Sequence, residues 1–343
     1  MNKWVAVIPQ DTVHVRDGRS FDAGVDAAAA SVMPTPATLG GAIGAAYGAR
    51  LLALRGPVLG ERASISWSTW FPAPQDLAVD AADSTTVHRL EVIQRRCATD
   101  LDYGTGWVGP VSGVDISGPV EDYLPGGTLA EYLADWSAGD VRPARDLDLR
   151  DRDSLLVPER RVGLARTAGG VARSGFLYQT THIRPRDGVG FLMDCDFPDT
   201  DRTLAAVTRL GGVTRLADVE PVVGRHWPDR PDRFPGGRVL VYLATPAIWS
   251  TGSRFPCPDD ARVVTAALGR PQAVASASPG SSFMTSRTLR WAVPAGSVYY
   301  LQFDSADAAL RWAADSHGTA CGPTPDPLLR TAGYGVVLTG IWS

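Results

Sequence analysis

Lysine is almost absent from this sequence of 343 residues, because Lys3 is the only one and the basic side chains are otherwise all arginine. A Walker A phosphate loop, a pyridoxal Schiff base and a lysine nucleophile each need a lysine, so all three are excluded beyond position 3. Any phosphate contact must therefore come from an arginine guanidinium or from a backbone amide.

Cysteine and long apolar runs are also scarce. The four cysteines are at least 62 residues apart and form no C-x-x-C pair, so neither a zinc cluster nor another metal site is expected. The chain opens with MNKWVAVIPQD, which is not a secretory segment, so disulfides are not expected either. The uncharged stretch 27–49 is rich in alanine and glycine and too poor in large apolar side chains to span a bilayer. We therefore expect a soluble cytoplasmic protein with no membrane partner.

The overall composition is that of a folded globular protein. With 33 basic and 37 acidic residues the net charge is -4, and 44% of the residues are hydrophobic, which excludes intrinsic disorder. The length suggests two domains. Residues 142–161 contain eleven charged residues of mixed sign, which is typical of a solvated connection. We place the boundary inside it, between a domain of residues 1–150 and a domain of residues 151–343.

Short strands and a few helices predict an α+β fold. Residues 3–9 read as a strand, and Thr35 followed by Pro36 predicts the start of a helix. The apolar stripe of that helix runs at three- and four-residue steps from Leu39 to Leu54, and Gly40, Gly44 and Gly48 form a second row. Thr128 is expected to cap a helix over 129–136.

The second half contains a strand–turn–strand pattern and a closing strand–helix–strand pattern. Residues 175–184 and 189–195 predict two strands of a hairpin, and 203–210 predicts a short helix. Strands over 238–243, 297–303 and 335–342 surround a helix over 306–317 that Ser305 caps. This order fits a ferredoxin-like βαββαβ unit.

No motif assembles a catalytic site. The one Gly-x-Gly-x-x-Gly match, at 104–109, has no apolar strand before it and is followed by proline, unlike a dinucleotide site. The five histidines show no metal-ligand spacing. Only His14 draws attention, because it lies beside the loop that contains Arg16 and Arg19. No cofactor is implied.

Arginine is concentrated in one segment. Residues 158–186 contain six arginines and a single acid, Glu159, and so carry +5 in an acidic protein. Interleaved glycines allow backbone amides to approach an anion, and Tyr178, His182 and Arg184 alternate onto one strand face as in binders of single-stranded RNA. A plain solvated face is the alternative.

Several stretches, in order along the chain, resemble one known family. These stretches are residues 11–24 with Arg16-Asp17-Gly18-Arg19, the helix motif Pro34-Thr35-Pro36-Ala37-Thr38-Leu39-Gly40-Gly41-Ala42, Glu159-Arg160-Arg161-Val162-Gly163-Leu164, Gly175-Phe176-Leu177-Tyr178, Val293-Pro294-Ala295-Gly296-Ser297-Val298-Tyr299 and Gly333-Tyr334-Gly335. Together they are similar to the third subunit of the Cmr (type III-B CRISPR) effector complex, a member of the RAMP superfamily.

The resemblance implies two ferredoxin-like, RRM-related RAMP domains packed side by side. It implies a non-catalytic subunit that grips the 5′ repeat-derived tag of the CRISPR RNA and docks on the large polymerase/cyclase-like subunit among the other Cmr subunits. The expected RNA-binding residues are Arg16, Arg19, Thr38, Gly41, Arg160, Arg161, Arg166, Arg173, Tyr178, Arg290, Gly333, Tyr334 and Gly335. Reversing Arg160 and Arg161 is expected to weaken RNA binding far more than reversing Arg230 and Arg233.

Two other classes stay open at this point. A related RAMP protein of another type III system, or a CRISPR RNA processing endoribonuclease, would share much of the pattern, and His14 would be the general acid or base of the nuclease. A small-molecule enzyme is the third class.

Overall fold

The computed structural model describes residues 2–15, 28–29, 31–93, 106–134, 136–198, 203–212, 215–277 and 287–343, which form mainly antiparallel sheets with few helices. The α+β prediction is confirmed. The strands are β1 (Asn2–Pro9), β2 (Ala28–Ala29), β3 (Ala53–Ala63), β4 (Ser66–Pro72), β5 (Leu77–Asp80), β6 (Thr86–Arg89), β7 (Glu91–Ile93), β8 (Trp107–Gly109), β9 (Ile116–Pro119), β10 (Tyr123–Pro125), β11 (Val141–Pro143), β12 (Leu156–Arg166), β13 (Ala172–Pro185), β14 (Val189–Asp196), β15 (Val207–Arg209), β16 (Leu216–Val222), β17 (Arg238–Leu243), β18 (Ala261–Ala267), β19 (Gln272–Ala277), β20 (Arg287–Ala292), β21 (Val298–Phe303), β22 (Thr319–Ala320) and β23 (Val336–Ile341). The helices are α1 (Pro36–Tyr47), α2 (Gly126–Ala134), α3 (Arg152–Leu155), α4 (Ala306–Ser316) and α5 (Pro327–Thr331).

Two large sheets share one strand order. The seven-stranded sheet has the order β10-β4-β3-β14-β1-β16-β15, and the five-stranded sheet has the order β18-β21-β17-β23-β22. The strands β1, β3, β14 and β16 of the first sheet come first, second, third and fourth along the chain. Across the sheet their order is second, third, first, fourth. The strands β17, β18, β21 and β23 of the second sheet repeat that order, and all these neighbours are antiparallel.

Helices cover the outer face of each sheet. The alternation of side chains along β1 directs Val5 and Val7 towards α1, where they join a core with Leu39 and Ile43. In the second sheet Val239 and Val241 lie in a core with the buried alanines of α4. Each sheet therefore buries one face against its own helix.

The inner faces of the two sheets form a common core. Trp4 and Ala6 of β1 lie in one buried cluster with Leu240 and Tyr242 of β17 and with the apolar face of α2. At Gly340 of β23 the backbone of α2 comes so close that a Cβ would lie 2.8 Å from the carbonyl oxygen of Leu133. The helix α2 thus ties residues between β3 and β14 to the second sheet.

A buried ionic cluster fastens this junction. Asp76 is fully buried and Arg89 is 2% exposed, and Nε of Arg89 lies 3.4 Å from Oδ2 of Asp76. The hydroxyls of Tyr132 on α2 and Tyr300 on β21 donate to the same carboxylate at 2.7 and 2.6 Å. Burial, and then the negative charge of Asp76, raises the pKa of both tyrosines well above the usual range, so both remain protonated donors.

The local signals of α1 and of the C-terminal strand–helix–strand pattern predicted the structure well. Thr35 caps α1 through its side chain, and Ser305 caps α4 in the same way. The predicted extension of α1 towards Leu54 is wrong, because Gly48 adopts a left-handed conformation and ends the helix after Tyr47. Leu54 instead lies on β3 and still packs into the same core.

Three other local predictions are wrong. The predicted helix over 203–210 is absent, and residues 207–209 of this segment form the edge strand β15. Thr128 lies inside α2, which begins at Gly126, and so does not cap it. The strands β13 and β14 exist, but they do not form a hairpin: β13 pairs with β12, whereas β14 pairs with β1 and β3.

The seven-stranded sheet contains strands from both sides of residue 150. A division at that residue would assign β1, β3, β4 and β10 to one domain and β14, β15 and β16 of the same sheet to the other. A division in 223–237 keeps both large sheets whole. The two domains 1–150 and 151–343 stay a prediction. In the described ranges no helix is both long and apolar enough to cross a membrane.

Candidate nucleic-acid interface

A two-stranded arm, formed by β12, β13 and the turn 167–171, stands away from the body. None of the described side chains between residues 157 and 181 is buried. In the described ranges β12 pairs only with β13, since the sheet order is β12-β13-β2 and β12 lies at its margin. Between Arg160 and Arg186 the sequence contains six arginines and no acid, so the arm is the most basic part of this acidic chain.

One face of β12 combines exposed arginines with exposed apolar side chains. Arg160, Val162 and Leu164 alternate onto this face, and Arg166 follows after a bulge. Val162 is 63% exposed and Leu164 44% exposed, although large apolar side chains are normally covered in a free-standing domain. Within the described part of the chain neither Arg160 nor Arg166 has a carboxylate partner, so both charges are available to an anion.

The other face carries the predicted aromatic platform. Gly163 lies directly opposite Tyr178 in the ladder, and a Cβ on Gly163 would lie 2.2 Å from Cζ of Tyr178. Only glycine at 163 lets the ring lie across the neighbouring strand. Tyr178 is 37% exposed, so the ring is accessible at the arm surface.

At the base of the arm, three arginines and two carboxylates form a cluster that we call the arm-base cluster. Its members are Asp11, Glu159, Arg161, Arg184 and Arg215. Arg161 lies 2.7 Å from Glu159 and 3.2 Å from Asp11, and Arg184 lies 2.8 Å from Asp11. The hydrogen bond from Arg184 is the main cause that lowers the pKa of Glu159. The charge of Arg161 is therefore neutralised by these carboxylates, whereas that of Arg160 is not. Two adjacent arginines in the sequence did not indicate this difference.

Two stacked histidines lie beneath this cluster. The rings of His14 and His182 are 4.6 Å apart and nearly parallel, and they are only 7% and 4% exposed. Nδ1 of His182 lies 2.8 Å from Oγ1 of Thr12, and Nδ1 of His14 lies 2.7 Å from Oγ of Ser31. A general acid or base must reach its substrate, so the burial of His14 argues against its role in an endoribonuclease.

We predict that His182 makes the stability of the protein fall in acid. Burial, then the neighbouring His14, Arg161 and Arg215, lower the pKa of His182 to about 4. Because this value is below the unfolded value of about 6.5, the folded state binds fewer protons, and stability present above pH 6.5 is lost as the pH falls towards 4. The melting temperature of His182→Gln should therefore fall less between these limits than that of the original protein. Equal falls would contradict the prediction, since the carboxylates titrate alike in both proteins.

The loop of Gly333, Tyr334 and Gly335 does not present its amides to solvent. All three residues are buried. Their N–H groups donate to the carbonyl oxygens of Arg330, Leu329 and Pro246. Gly333 also packs on β3, where a Cβ would lie 2.9 Å from the carbonyl oxygen of Gly56. The loop is part of the junction between the sheets, with its amides bonded inside the chain and the ring of Tyr334 buried, and RNA binding by these three residues stays a prediction.

The motif residues of α1 lie close to that loop. Thr35, Pro36 and Tyr334 line one cavity of about 270 Å³, together with Pro294 and Ala295 of the Val-Pro-Ala-Gly-Ser stretch. Three of the stretches that carry the family resemblance therefore converge on one place, and none of the described residues that line it is charged. This arrangement favours a packing role for these motifs.

Thr38 and Gly41 have different surroundings on α1. The amide and the hydroxyl of Thr38 both contact Oγ1 of Thr35, so Thr38 completes the helix cap. Gly41 is exposed, and a Cβ there would have no neighbour within 4 Å. Gly40, one position earlier, lies instead against Leu54.

The remaining predicted residues lie apart from one another. Arg173 is exposed near the tip of the arm. Arg290 lies on the inner face of β20, opposite Val274 of β19, and is half-buried. Arg16 and Arg19 lie outside the described residues. Within the described ranges, no group of three or more His, Cys, Asp or Glu side chains is arranged to hold a metal ion.

Comparison with known proteins identifies the family. No curated protein matches the sequence significantly. The structure is similar, at 14% identity over 87% of this chain and 86% of the other, to a chain of the cryo-EM structure of the Type III-B Cmr-beta bound to cognate target RNA, with a TM-score of 0.49. It is similar over the same shares to a chain of the Cmr-beta structure bound to cognate target RNA and AMPPnP, with a TM-score of 0.48. The model of the family described as CRISPR-associated protein (Cas_Cmr3) matches residues 5–342. The chain therefore belongs to the Cas_Cmr3 family, that of the third subunit of the type III-B Cmr effector complex.

Proposed function

We propose that this subunit of a type III-B CRISPR effector is a non-catalytic RNA-binding protein that grips the 5′ repeat-derived tag of the CRISPR RNA with its arm. The observation that carries the proposal is the exposed face of β12, where Arg160 and Arg166 have no described carboxylate partner and flank the exposed Val162 and Leu164. Guanidinium groups bind phosphates through paired hydrogen bonds, and apolar side chains pack on sugars and bases.

Local charge must supply the attraction, because the whole chain is acidic. At -4 the long-range field does not favour RNA, and salt screens charges beyond about 8 Å at physiological ionic strength. Arginines in the acid-free part of the arm, residues 160–185, act at contact distance and avoid this screening. Tyr178, on the opposite face, offers a ring on which one base can stack.

A ferredoxin-like origin of both large sheets fits this function, since RRM-related sheets bind single-stranded RNA. The second-third-first-fourth strand order in both sheets supports it. A βαββαβ unit has one helix after its first strand and one after its third. In the first sheet α1 lies between the first and second of the four strands, and in the second sheet α4 lies between the third and fourth.

The proposal is tested with the purified full-length chain and single-stranded RNA that carries the tag. We expect binding without cleavage, with or without divalent metal, because no catalytic group has been identified on the arm. Specific cleavage that a single substitution abolishes would contradict the non-catalytic part of the proposal. Tag RNA binding no tighter than RNA of scrambled sequence would contradict the tag-gripping part.

Docking on the large polymerase/cyclase-like subunit is proposed to use the exposed side of α1. Gly41 lies in a groove of about 500 Å³ between α1 and α5, with Ala37, Gly44 and Leu328 also in its wall. Small side chains there let another backbone approach closely.

We therefore predict that Gly41→Leu folds normally but fails to assemble. The added side chain has open space in the free chain, so the melting temperature should not fall, yet it would fill the groove. Gly41→Ala is the matched control, and it should assemble while stabilising α1 by about 0.5–1 kcal/mol. Co-purification with the other subunits measures this, and normal assembly of Gly41→Leu would show that the groove is not an interface.

A further inference from the structure

A second two-stranded element, the ribbon formed by β19 and β20, lies on the other half of the molecule. Val274 and Ala292 are each 2% exposed and pack with Ile248, Leu329 and Tyr334. This packing fixes the inner face of the ribbon to the body and explains why Tyr334 is buried. It also fixes which side chains face outwards.

The outer face of the ribbon exposes large apolar side chains. Trp291 is 70% exposed and Leu289 59% exposed, and they lie opposite Ala273 and Ala275 in the ladder. Small neighbours leave the indole ring uncovered. Trp291 is the most exposed of the described tryptophans, ahead of Trp107 at 38%, and a ring this exposed marks a contact surface.

The ribbon lies in a second acid-free region that sequence reasoning did not single out. From Ala261 to Phe303 the chain contains four arginines and no aspartate or glutamate. Beside Trp291 lies a groove of about 690 Å³, lined mainly by apolar side chains and by one charged residue, the exposed Arg270. Ring, groove and guanidinium are thus adjacent.

The ribbon and the arm belong to corresponding connections along the chain. The arm lies between the second and third strands of its sheet, β3 and β14, and the ribbon lies between the second and third strands, β18 and β21. Each element exposes an aromatic ring and apolar side chains, and both the ribbon and residues 160–185 of the arm contain arginines and no acid. Similar side chains thus occur in the connection between the second and third strands of both large sheets.

We propose that the β19–β20 ribbon is a second contact surface for single-stranded RNA, in which a base stacks on Trp291 and Arg270 binds an adjacent phosphate. This inference rests on the RNA-binding function proposed above. Positive charge without any acid favours a polyanion over a protein segment, and the bare indole face suits a base. Arg290 lies on the inner face, opposite Val274, and is not part of this surface.

The test is filter binding of single-stranded RNA to the full-length chain at several salt concentrations. Trp291→Ala should weaken binding about 5- to 150-fold, the range for loss of one stacked base, without changing the salt slope. Trp291→Tyr should retain most of the affinity. Arg270→Gln should reduce the slope by about 0.7, the value for one phosphate contact on a single strand. Since Trp291 is mostly exposed, these variants should melt like the original chain.

The variants separate this inference from the proposed function. Wild-type affinity of Trp291→Ala together with weak binding by an arm variant, Arg160→Glu with Arg166→Glu, would overturn the ribbon surface and leave the function intact. If Trp291→Ala and the arm variant both bind RNA with wild-type affinity, the proposed RNA-binding function is overturned as well. If Trp291→Leu binds RNA as well as Trp291→Tyr, a simple apolar contact replaces stacking and the inference is wrong. Photo-crosslinking of 5-iodouridine-substituted RNA to Trp291 would support it directly.

Discussion

Replacing both Arg160 and Arg166 with glutamate is expected to lower the affinity for tag-bearing RNA by about 100-fold or more at physiological salt. Each arginine forms a charge-assisted contact of about 1.5–3 kcal/mol, and the new carboxylates repel the phosphates. The slope of log K against log salt should fall by about 1.4, since each lost phosphate contact on a single strand removes about 0.7. Filter binding across a salt series measures both quantities.

The matched control reverses Arg233 and Arg311, which are exposed and have acidic neighbours in sequence. We expect a small change in affinity from this pair, although the change in net charge is the same. Equal losses and equal slopes for the two pairs would show that RNA responds to the net charge of the protein and that the arm is not its binding surface. Arg161→Glu is a poor test, because it also breaks the arm-base cluster.

Replacing Asp76 with alanine is expected to lower the free energy of unfolding by about 3–5 kcal/mol, the largest stability effect that the structure indicates. The substitution leaves the charge of Arg89 buried without its counterion and removes the acceptor of the Tyr132 and Tyr300 hydroxyls. These residues belong to the segment between β3 and β14, to α2 and to the second sheet, so the junction should loosen as a unit. Denaturant unfolding followed by fluorescence measures the loss.

Asp146→Ala provides the control for this cluster. Asp146 and Arg145 form an exposed pair at 3.5 Å, and a surface pair contributes at most about 1 kcal/mol. Adding Arg89→Met to Asp76→Ala should recover part of the stability, because a methionine removes the uncompensated charge. A loss below 1 kcal/mol for Asp76→Ala alone would contradict the view that this buried pair holds the sheets together.

The sequence predicted correctly where α1 and α4 begin, because the residue that caps each helix lies next to it in the chain. The caps Thr35 and Ser305 act through hydrogen bonds within three residues, and both were predicted correctly. The strand β17 was predicted with its observed limits because it is a continuous apolar run. The segment 203–210 failed because its pairing with β16 is a tertiary contact that outweighs its helical pattern.

The candidate site was less predictable, because charge and burial depend on distant residues. Arg160 and Arg161 look alike in sequence, yet strand alternation places their side chains on opposite faces of β12. Of the two, only Arg161 forms a hydrogen bond with Asp11, which lies just after β1. Tyr334 reads as a surface aromatic between flexible glycines, and its burial follows from packing with Val274 and Ala292, more than 40 residues away. The exposure of Trp291 cannot be predicted from an alternating strand pattern alone.

The most direct test of the central claim is to map where the tag lies in the assembled effector. A CRISPR RNA with photoreactive uridines in its 5′ tag would be assembled with the full-length subunit and its partners, irradiated and digested, and the crosslinked peptides sequenced. Binding by the arm predicts crosslinks to this subunit within β12 and β13, around Val162, Leu164 and Tyr178. Crosslinks confined to other subunits, or to surfaces of this chain outside the arm, would contradict it.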